Sequence, residues 1–77
     1  MKIVVKIKNN FGDYESVPIH ITDEEYPELL EMAKNFYKTG GYEMVTKEGF
    51  VVIPPDIVKQ SILLIQIFKD DDDSTEE

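Results

Sequence analysis

The sequence KIVVKIK near the start of the chain alternates apolar and charged side chains with the two-residue period of a half-buried β-strand. Ile3, Val5 and Ile7 fall on one face of this strand, and lysines dominate the other. After the turn-forming residues NNFGD, a second alternation over 16–21 predicts a strand that forms a hairpin with the first. Pro18 has no amide donor, so that side of the second strand should face a sheet edge.

Apolar residues spaced by three and four follow the second strand and predict an amphipathic helix. Thr22 and Glu25 have the spacing of a capping box at its start, and the pair 40–41, both glycine, supplies a stop. Pro27 disfavours helical geometry in the residue before it, so we expect the first regular turn at Pro27. The predicted buried stripe consists of Tyr26, Leu29, Leu30, Ala33, Phe36 and Tyr37.

The second half of the chain predicts another hairpin and a last strand. Two β-rich runs, 42–46 and 50–53, flank a turn that contains Gly49. The segment that follows fits two interpretations, because its apolar residues also match a helical stripe. The density of β-branched side chains near its end favours a short turn over 55–60 and a strand over 61–68, buried on both faces.

This order of elements predicts an α+β fold of ββαβββ type, in which one helix packs on a mixed four- to five-stranded sheet. The last strand is the most apolar and is expected at the centre of the sheet, beside the first. Such an arrangement is β-grasp-like. The chain resembles ubiquitin-like domains in its opening, MKIVVK, and in 57–67, IVKQSILLIQI, which is similar to their closing loop and final strand. By this resemblance Ile57 takes the place of a buried loop isoleucine.

The resemblance also implies an apolar recognition patch on the exposed face of the sheet. The matching positions lie near Lys8, Val45 and Gln66, so the patch of the family is only partly present. A ubiquitin-like modifier closes on Gly-Gly, whereas this sequence closes on DDDDSTEE, so conjugation is not expected. Fold alone does not determine function.

Composition narrows the function classes. The 77 residues include no cysteine, which excludes thiol catalysis and zinc binding through sulfur and favours a cytoplasmic location. The N-terminal alternation predicts neither a signal peptide nor a membrane span. There is no arginine and no basic cluster, so direct nucleic-acid binding is not expected.

The negative charge is concentrated at one end of the sequence. Eight lysines against sixteen acidic residues give a net charge of −8, and residues 70–77 contain six of the acidic side chains. We expect a single domain over 1–69, with a net charge of −2, and a disordered acidic tail over 70–77 that promotes solubility and repels other copies.

No cofactor, catalytic or metal site is predicted. His20 is the only histidine and is expected to be a solvated strand residue. The carboxylates near the predicted helix start are explained by the helix dipole. We therefore do not expect an enzyme.

The most informative feature is an excess of apolar surface. A single helix covers one face of a sheet, yet the run over 61–68 is apolar on both of its faces. Monomers seldom expose a large contiguous apolar patch, so a partner or a second copy is expected to cover it. The predicted partner-binding residues are Val4, Lys6, Val45, Ile62, Leu64 and Phe68, with the aromatic residues Phe11 and Tyr14 at the rim.

These observations predict a non-catalytic intracellular protein-binding module without a cofactor. The lysine-rich, arginine-free composition is typical of small proteins of AT-rich bacteria and their phages, which favours a phage or prophage accessory protein that engages a host factor. One alternative is a structural homo-oligomer, such as a homodimer. Another is an acidic inhibitor that mimics DNA, which is disfavoured because the charge is confined to the tail.

Overall fold

A computed structural model describes residues 1–69, which form an α+β fold with antiparallel pairing throughout the described strands. The predicted class is confirmed, whereas the predicted mixed sheet is wrong and the β-grasp arrangement is not confirmed. The predicted tail, residues 70–77, lies outside the described residues. The elements are β1 Lys2–Asn9, β2 Gly12–Glu15, β3 Ile19–His20, α1 Tyr26–Lys34, β4 Tyr42–Thr46, β5 Gly49–Ile53, α2 Pro55–Val58 and β6 Ile62–Phe68.

β1 is the central strand of the larger sheet. On one side it pairs along its whole length with β6, from Lys2 opposite Phe68 to Lys8 opposite Ile62. On the other side it pairs with β2 and then with β3. The final strand therefore lies beside the first, as predicted. Its predicted central position is wrong, because β1 is its only strand partner within residues 1–69.

β2 and β3 replace the single strand predicted over 16–21. Glu15 lies opposite Lys6, but Ile19 lies opposite Ile3, so three residues of this segment face two residues of β1. The extra residue is a β-bulge, which interrupts the pairing and bends the chain. Pro18 lies within the interruption and has no amide to donate to a ladder.

Ser16 satisfies the backbone at this bulge and joins the two sheets. The amide of Val5 donates to Ser16 Oγ at 2.9 Å, and the amide of Ser16 donates to the carbonyl of Val5 at 2.8 Å. Ser16 also forms an isolated antiparallel β-bridge with Thr46, and the amide of Val17 donates to the carbonyl of Val45 at 2.9 Å. The β4–β5 hairpin is thus a separate two-stranded sheet that meets the larger sheet at this bridge instead of pairing with β6.

The helical segment begins at the predicted capping box and ends earlier than predicted. The amide of Thr22 donates to Glu25 Oε1 at 2.8 Å, and the amide of Glu25 donates to Thr22 Oγ1 at 3.3 Å. A 3₁₀ turn over Asp23–Glu25 precedes α1, and Asn35 ends α1 with non-helical dihedral angles. Asparagine is a poor interior helix residue because its side chain competes for backbone hydrogen bonds.

The predicted buried stripe is only partly correct. Phe36 is fully buried, in a second 3₁₀ turn that follows α1, and Leu29 packs against the core. Leu30 and Tyr37 are exposed, because the helix ends before Tyr37 and rests on the core through a narrow face. The helix therefore covers the sheet less completely than its sequence pattern suggests.

The hydrophobic core lies between one face of β1, the inner face of the β4–β5 hairpin and the segment after α1. Its buried members are Ile3, Val5, Ile7, Phe36, Met44, Ile53 and Val58. Val58 lies in α2, a single helical turn, and Ile57 packs against the same cluster. Of the two interpretations of the final segment, the turn followed by a strand is confirmed.

Candidate functional site

The face of the larger sheet that points away from the core carries three parallel columns of side chains, and we call it the open face. The side chains of Ile3, Val5 and Ile7 point to the core, so the alternate side chains of β1 and the residues opposite them lie on the open face. The column on β2 is acidic and consists of Asp13 and Glu15. The column on β1 is basic and consists of Lys2, Lys6 and Lys8. The column on β6 is apolar and consists of Ile62, Leu64 and Phe68.

The apolar column on β6 is accessible. The side chain of Ile62 is 65% exposed and that of Leu64 is 49% exposed. Lys8 lies opposite Ile62, and Lys6 lies opposite Leu64, so each apolar residue has a lysine beside it on the central strand. Phe68 is half-buried, and Lys2 Nζ lies 5.6 Å from the centre of its ring, within the range of a cation–π contact. The structure therefore brings Lys6, Ile62, Leu64 and Phe68, four of the predicted partner-binding residues, together on the open face.

Val4 belongs to the same face but offers little area to a partner. Its side chain is 7% exposed, and it lies opposite Gln66 on β6. Its predicted role as a contact residue is therefore not supported by its accessibility. On the side away from β6, Val4 lies between Lys6, which pairs with Glu15, and Lys2, which pairs with His20.

Val45 lies on the outer face of the other hairpin, in a separate apolar patch. Its neighbours there are Phe50, directly opposite on β5, and Val52. The three side chains are 52%, 62% and 61% exposed, whereas Val51 and Ile53 face the core. Phe50 and Val52 were not among the predicted partner-binding residues. The alternation of Phe50, Val51, Val52 and Ile53 along β5 was the sequence signal for this outward patch.

The two rim aromatics have different environments. Phe11 is 70% exposed at the tip of the first hairpin. Tyr14 is half-buried and packs against the core, which limits its predicted role at the rim. Both line a small groove of about 270 Å³ between the hairpin tip and β5, and Tyr14 also lines a groove of about 520 Å³ between β2 and the tip of the second hairpin.

The hydrogen bonds of β1 determine which backbone groups of β6 point outward. The amide and the carbonyl of Val5 both bond to Ser16, on the side away from β6. In an antiparallel ladder, successive residues direct their N–H and C=O groups to opposite sides of the strand. The even-numbered residues of β1 therefore form the hydrogen bonds to β6. Their partners on β6 are also even-numbered, from Ile62 to Phe68. The N–H and C=O groups of Leu63, Ile65 and Ile67 therefore point to the outer edge of β6.

The described residues contain no arrangement typical of a reactive centre. No group of three or more histidine, cysteine, aspartate or glutamate side chains in residues 1–69 could hold a metal ion. His20 is exposed on β3. No helix within this part of the chain is long and apolar enough to cross a membrane. Burial raises the pKa of the Tyr42 phenol, which packs against the ring of Phe36.

Comparison with protein-family models, curated proteins and solved structures found no match to this chain. The function has to be inferred from the geometry and chemistry of the surface.

Proposed function

We propose that the protein is a non-catalytic protein-binding module whose partner docks on the open face across β1 and β6. The observation that carries this proposal is the exposure of Ile62 and Leu64, at 65% and 49%, on a strand face that no helix within residues 1–69 covers. Contiguous apolar side chains in such a position favour a binding site, because leaving them in water costs free energy.

The neighbouring lysines define the chemistry of the partner. A partner with apolar residues at its centre and carboxylates beside them would bury the apolar column and bring its charges next to Lys6 and Lys8. Apolar contacts would supply most of the affinity, and the charged border would set orientation and association rate. We therefore expect the association rate to fall as the salt concentration rises.

The binding role does not depend on the more specific predictions from sequence. The ubiquitin-like resemblance, the phage or prophage setting with a host factor as partner, and the intracellular location are part of the proposal only as context. The DNA-mimic alternative would place binding in the acidic residues 70–77, outside the described residues. Deleting them should leave partner binding intact if the open face is the site.

A matched pair of substitutions tests the proposal. Leu64→Asp puts a charge in the centre of the apolar column, and Leu30→Asp makes the same change at a leucine of α1 with similar exposure, 42% against 49%. The wild-type protein and both variants are used to capture partners from the source cell, and the affinity of a captured protein is then measured by calorimetry. Circular dichroism verifies that both variants are folded.

We expect Leu64→Asp to weaken binding at least about tenfold, because truncation or charging of a central contact residue typically costs more than about 1.4 kcal/mol. Leu30→Asp should bind like the wild type. Equal binding by all three proteins would contradict a site on the open face. Equal loss in both variants would also contradict it, because it would indicate a general effect of charge.

A further inference from the structure

β6 is an edge strand without the features that normally protect such an edge. Its sequence, ILLIQIF, contains no charged residue and no proline, and its pairing with β1 runs through all seven residues without a bulge. Natural proteins protect long edges with lysines, prolines, bulges or covering loops, because outward N–H and C=O groups recruit other strands. This edge is therefore suited to pairing.

We propose that β6 pairs in antiparallel orientation with β6 of a second copy, about a two-fold axis at Ile65. The outward groups belong to Leu63, Ile65 and Ile67. Pairing centred on Ile65 joins Ile65 to its equivalent and Leu63 to Ile67 of the second copy, so every outward group of the strand receives a partner. In this register all seven residues of the two β6 strands overlap, and the larger sheets of the two copies form one continuous sheet.

The side chains are self-complementary in the same register. On the open face, Ile62 comes opposite Phe68 of the second copy, and Leu64 comes opposite Gln66 of the second copy. On the other face, Leu63 meets Ile67, which is 40% exposed in the single chain. Apolar side chains therefore meet apolar side chains at the ends of the seam and on its inner face, where cross-strand pairs stabilise a sheet.

The distribution of charge is compatible with this pairing. The lysine column lies one strand inside the edge and the acidic column lies beyond it, so the seam itself contains no charged side chain. The acidic residues follow Lys69, and antiparallel pairing places the two Lys69 residues at opposite ends of the seam. The two Lys69 residues are then separated by roughly 26 Å, eight residue steps along the strand. That distance exceeds the Debye length of about 8 Å at physiological salt.

The contact is small, which fixes the expected strength. Tyr37 donates its hydroxyl hydrogen to the carbonyl of Ser61, so the backbone carbonyl immediately before β6 already has a hydrogen-bond partner. Pairing between the two copies is therefore limited to β6 itself. A seam of seven residues falls below about 1,200 Å² in total buried area, the range of weak and transient contacts. Because each copy carries a net charge of −8, we expect a monomer–dimer equilibrium that shifts toward the dimer as salt is added.

Single cysteines test the register, because the chain contains none of its own. The Cα atoms of a hydrogen-bonded antiparallel pair lie about 5.5 Å apart, within the range of a disulfide, so Ile65→Cys should cross-link to itself on mild oxidation. Ile62→Cys is the control, because residue 62 lies roughly 20 Å from its equivalent in this register. Ile62 is also the more exposed residue, so random collisions would cross-link it more readily. Equal or stronger cross-linking of Ile62→Cys would overturn the proposal.

A backbone substitution tests the edge without relying on Ile65. Ile67→Pro removes an outward N–H and spares the ladder with β1, whereas Ile67→Ala shortens the same side chain and keeps the N–H. Sedimentation velocity over a concentration series should show a dimer for the wild type and for Ile67→Ala, and a monomer for Ile67→Pro. Circular dichroism verifies the fold of each variant. A monomeric wild-type protein at every concentration would refute the dimer.

The dimer and the proposed partner-binding role fail separately. The dimer uses the backbone edge of β6, and the partner uses the open face. A monomeric wild-type protein that still loses its partner on Leu64→Asp would refute the dimer and leave the binding role supported. Conversely, cross-linking of Ile65→Cys, together with partner binding that Leu64→Asp does not affect, would support the dimer and refute the binding role.

Discussion

At the scale of single residues, Ser16 has the most specific structural role. Its side chain is 3% exposed, accepts a hydrogen bond from the amide of Val5 and donates one to the carbonyl of Val17. Ser16→Ala leaves the amide of Val5 buried in the sheet without its acceptor. We expect the free energy of unfolding to fall by about 1–3 kcal/mol, the cost of a buried unsatisfied donor. Urea denaturation measures this change.

Ser61→Ala is a suitable control for this prediction, because Ser61 is equally buried at 3% exposure. Its hydroxyl accepts from Asn9 Nδ2 and donates to the carbonyl of Ile57. The amide of Asn9 is a side-chain donor at a partly buried position and can bond to water instead. A loss for Ser61→Ala as large as that for Ser16→Ala would contradict the role assigned to the bulge.

Tyr42 makes the stability depend on alkaline pH. Burial raises the pKa of its phenol above the ordinary value of 10.0, so the folded protein retains a proton that the unfolded chain releases. Unfolding is then favoured progressively as the pH rises above about 10, and the stabilisation is complete only below that pH. We expect Tyr42→Phe to show a smaller loss of unfolding free energy between pH 9 and 11 than the wild type. Identical pH profiles in urea denaturation would contradict this assignment.

At the scale of elements, the entry of the chain into β4 depends on one of two adjacent glycines. Gly41 has φ of +141°, and an added Cβ would lie 3.1 Å from the carbonyl oxygen of Ile53. An added Cβ at Gly40 meets no atom within 4 Å. We expect Gly41→Ala to lower the unfolding free energy by about 1–3 kcal/mol, the usual cost of a strained backbone position. Thermal denaturation is a sufficient measurement.

Gly40→Ala is the matched control at the neighbouring position. It should leave stability unchanged or raise it by up to about 1 kcal/mol, because the substitution restricts the unfolded chain. Equal destabilisation by both substitutions would show that the strain assigned to Gly41 is not what limits this turn.

Much of the element order could be predicted from local patterns. The alternation in β1, the capping box at Thr22 and the β-rich run of β6 each specify one element through a short sequence, and all three are present. The split of the second strand was not predictable in the same way. It depends on the hydroxyl of Ser16 replacing a backbone acceptor and on a bridge to Thr46, thirty positions along the chain.

At the scale of the whole molecule, the position of β6 was the main error of the sequence interpretation. An almost wholly apolar strand normally lies at the centre of a sheet, where both faces are covered. Here the central position belongs to β1, because the second hairpin joins the sheet through Ser16 and Val17 on the opposite side. Local composition reports how apolar a strand is, and the pairing of distant segments decides where it lies.

The candidate site, like the fold, was only partly predictable from the sequence. The count of one helix for two apolar faces indicated an excess of apolar surface, but the predicted burial of both faces of this strand is wrong, because Ile62 and Leu64 are exposed. The lysine column beside them depends on the register between β1 and β6, which the sequence did not specify. The burial of Val4 and the outward patch around Phe50 also depend on pairing, so they could not be assigned from alternation alone.

The dimer proposal requires that β6 is an open edge in the single chain, and amide hydrogen exchange measured by NMR tests this most directly. In dilute solution, the amides of Leu64, Gln66 and Phe68 should be protected by β1, and those of Leu63, Ile65 and Ile67 should exchange at least about tenfold faster. Protection of the second set should rise with protein concentration as the edge becomes paired. Uniform protection of all six amides at the lowest concentration would contradict an open edge.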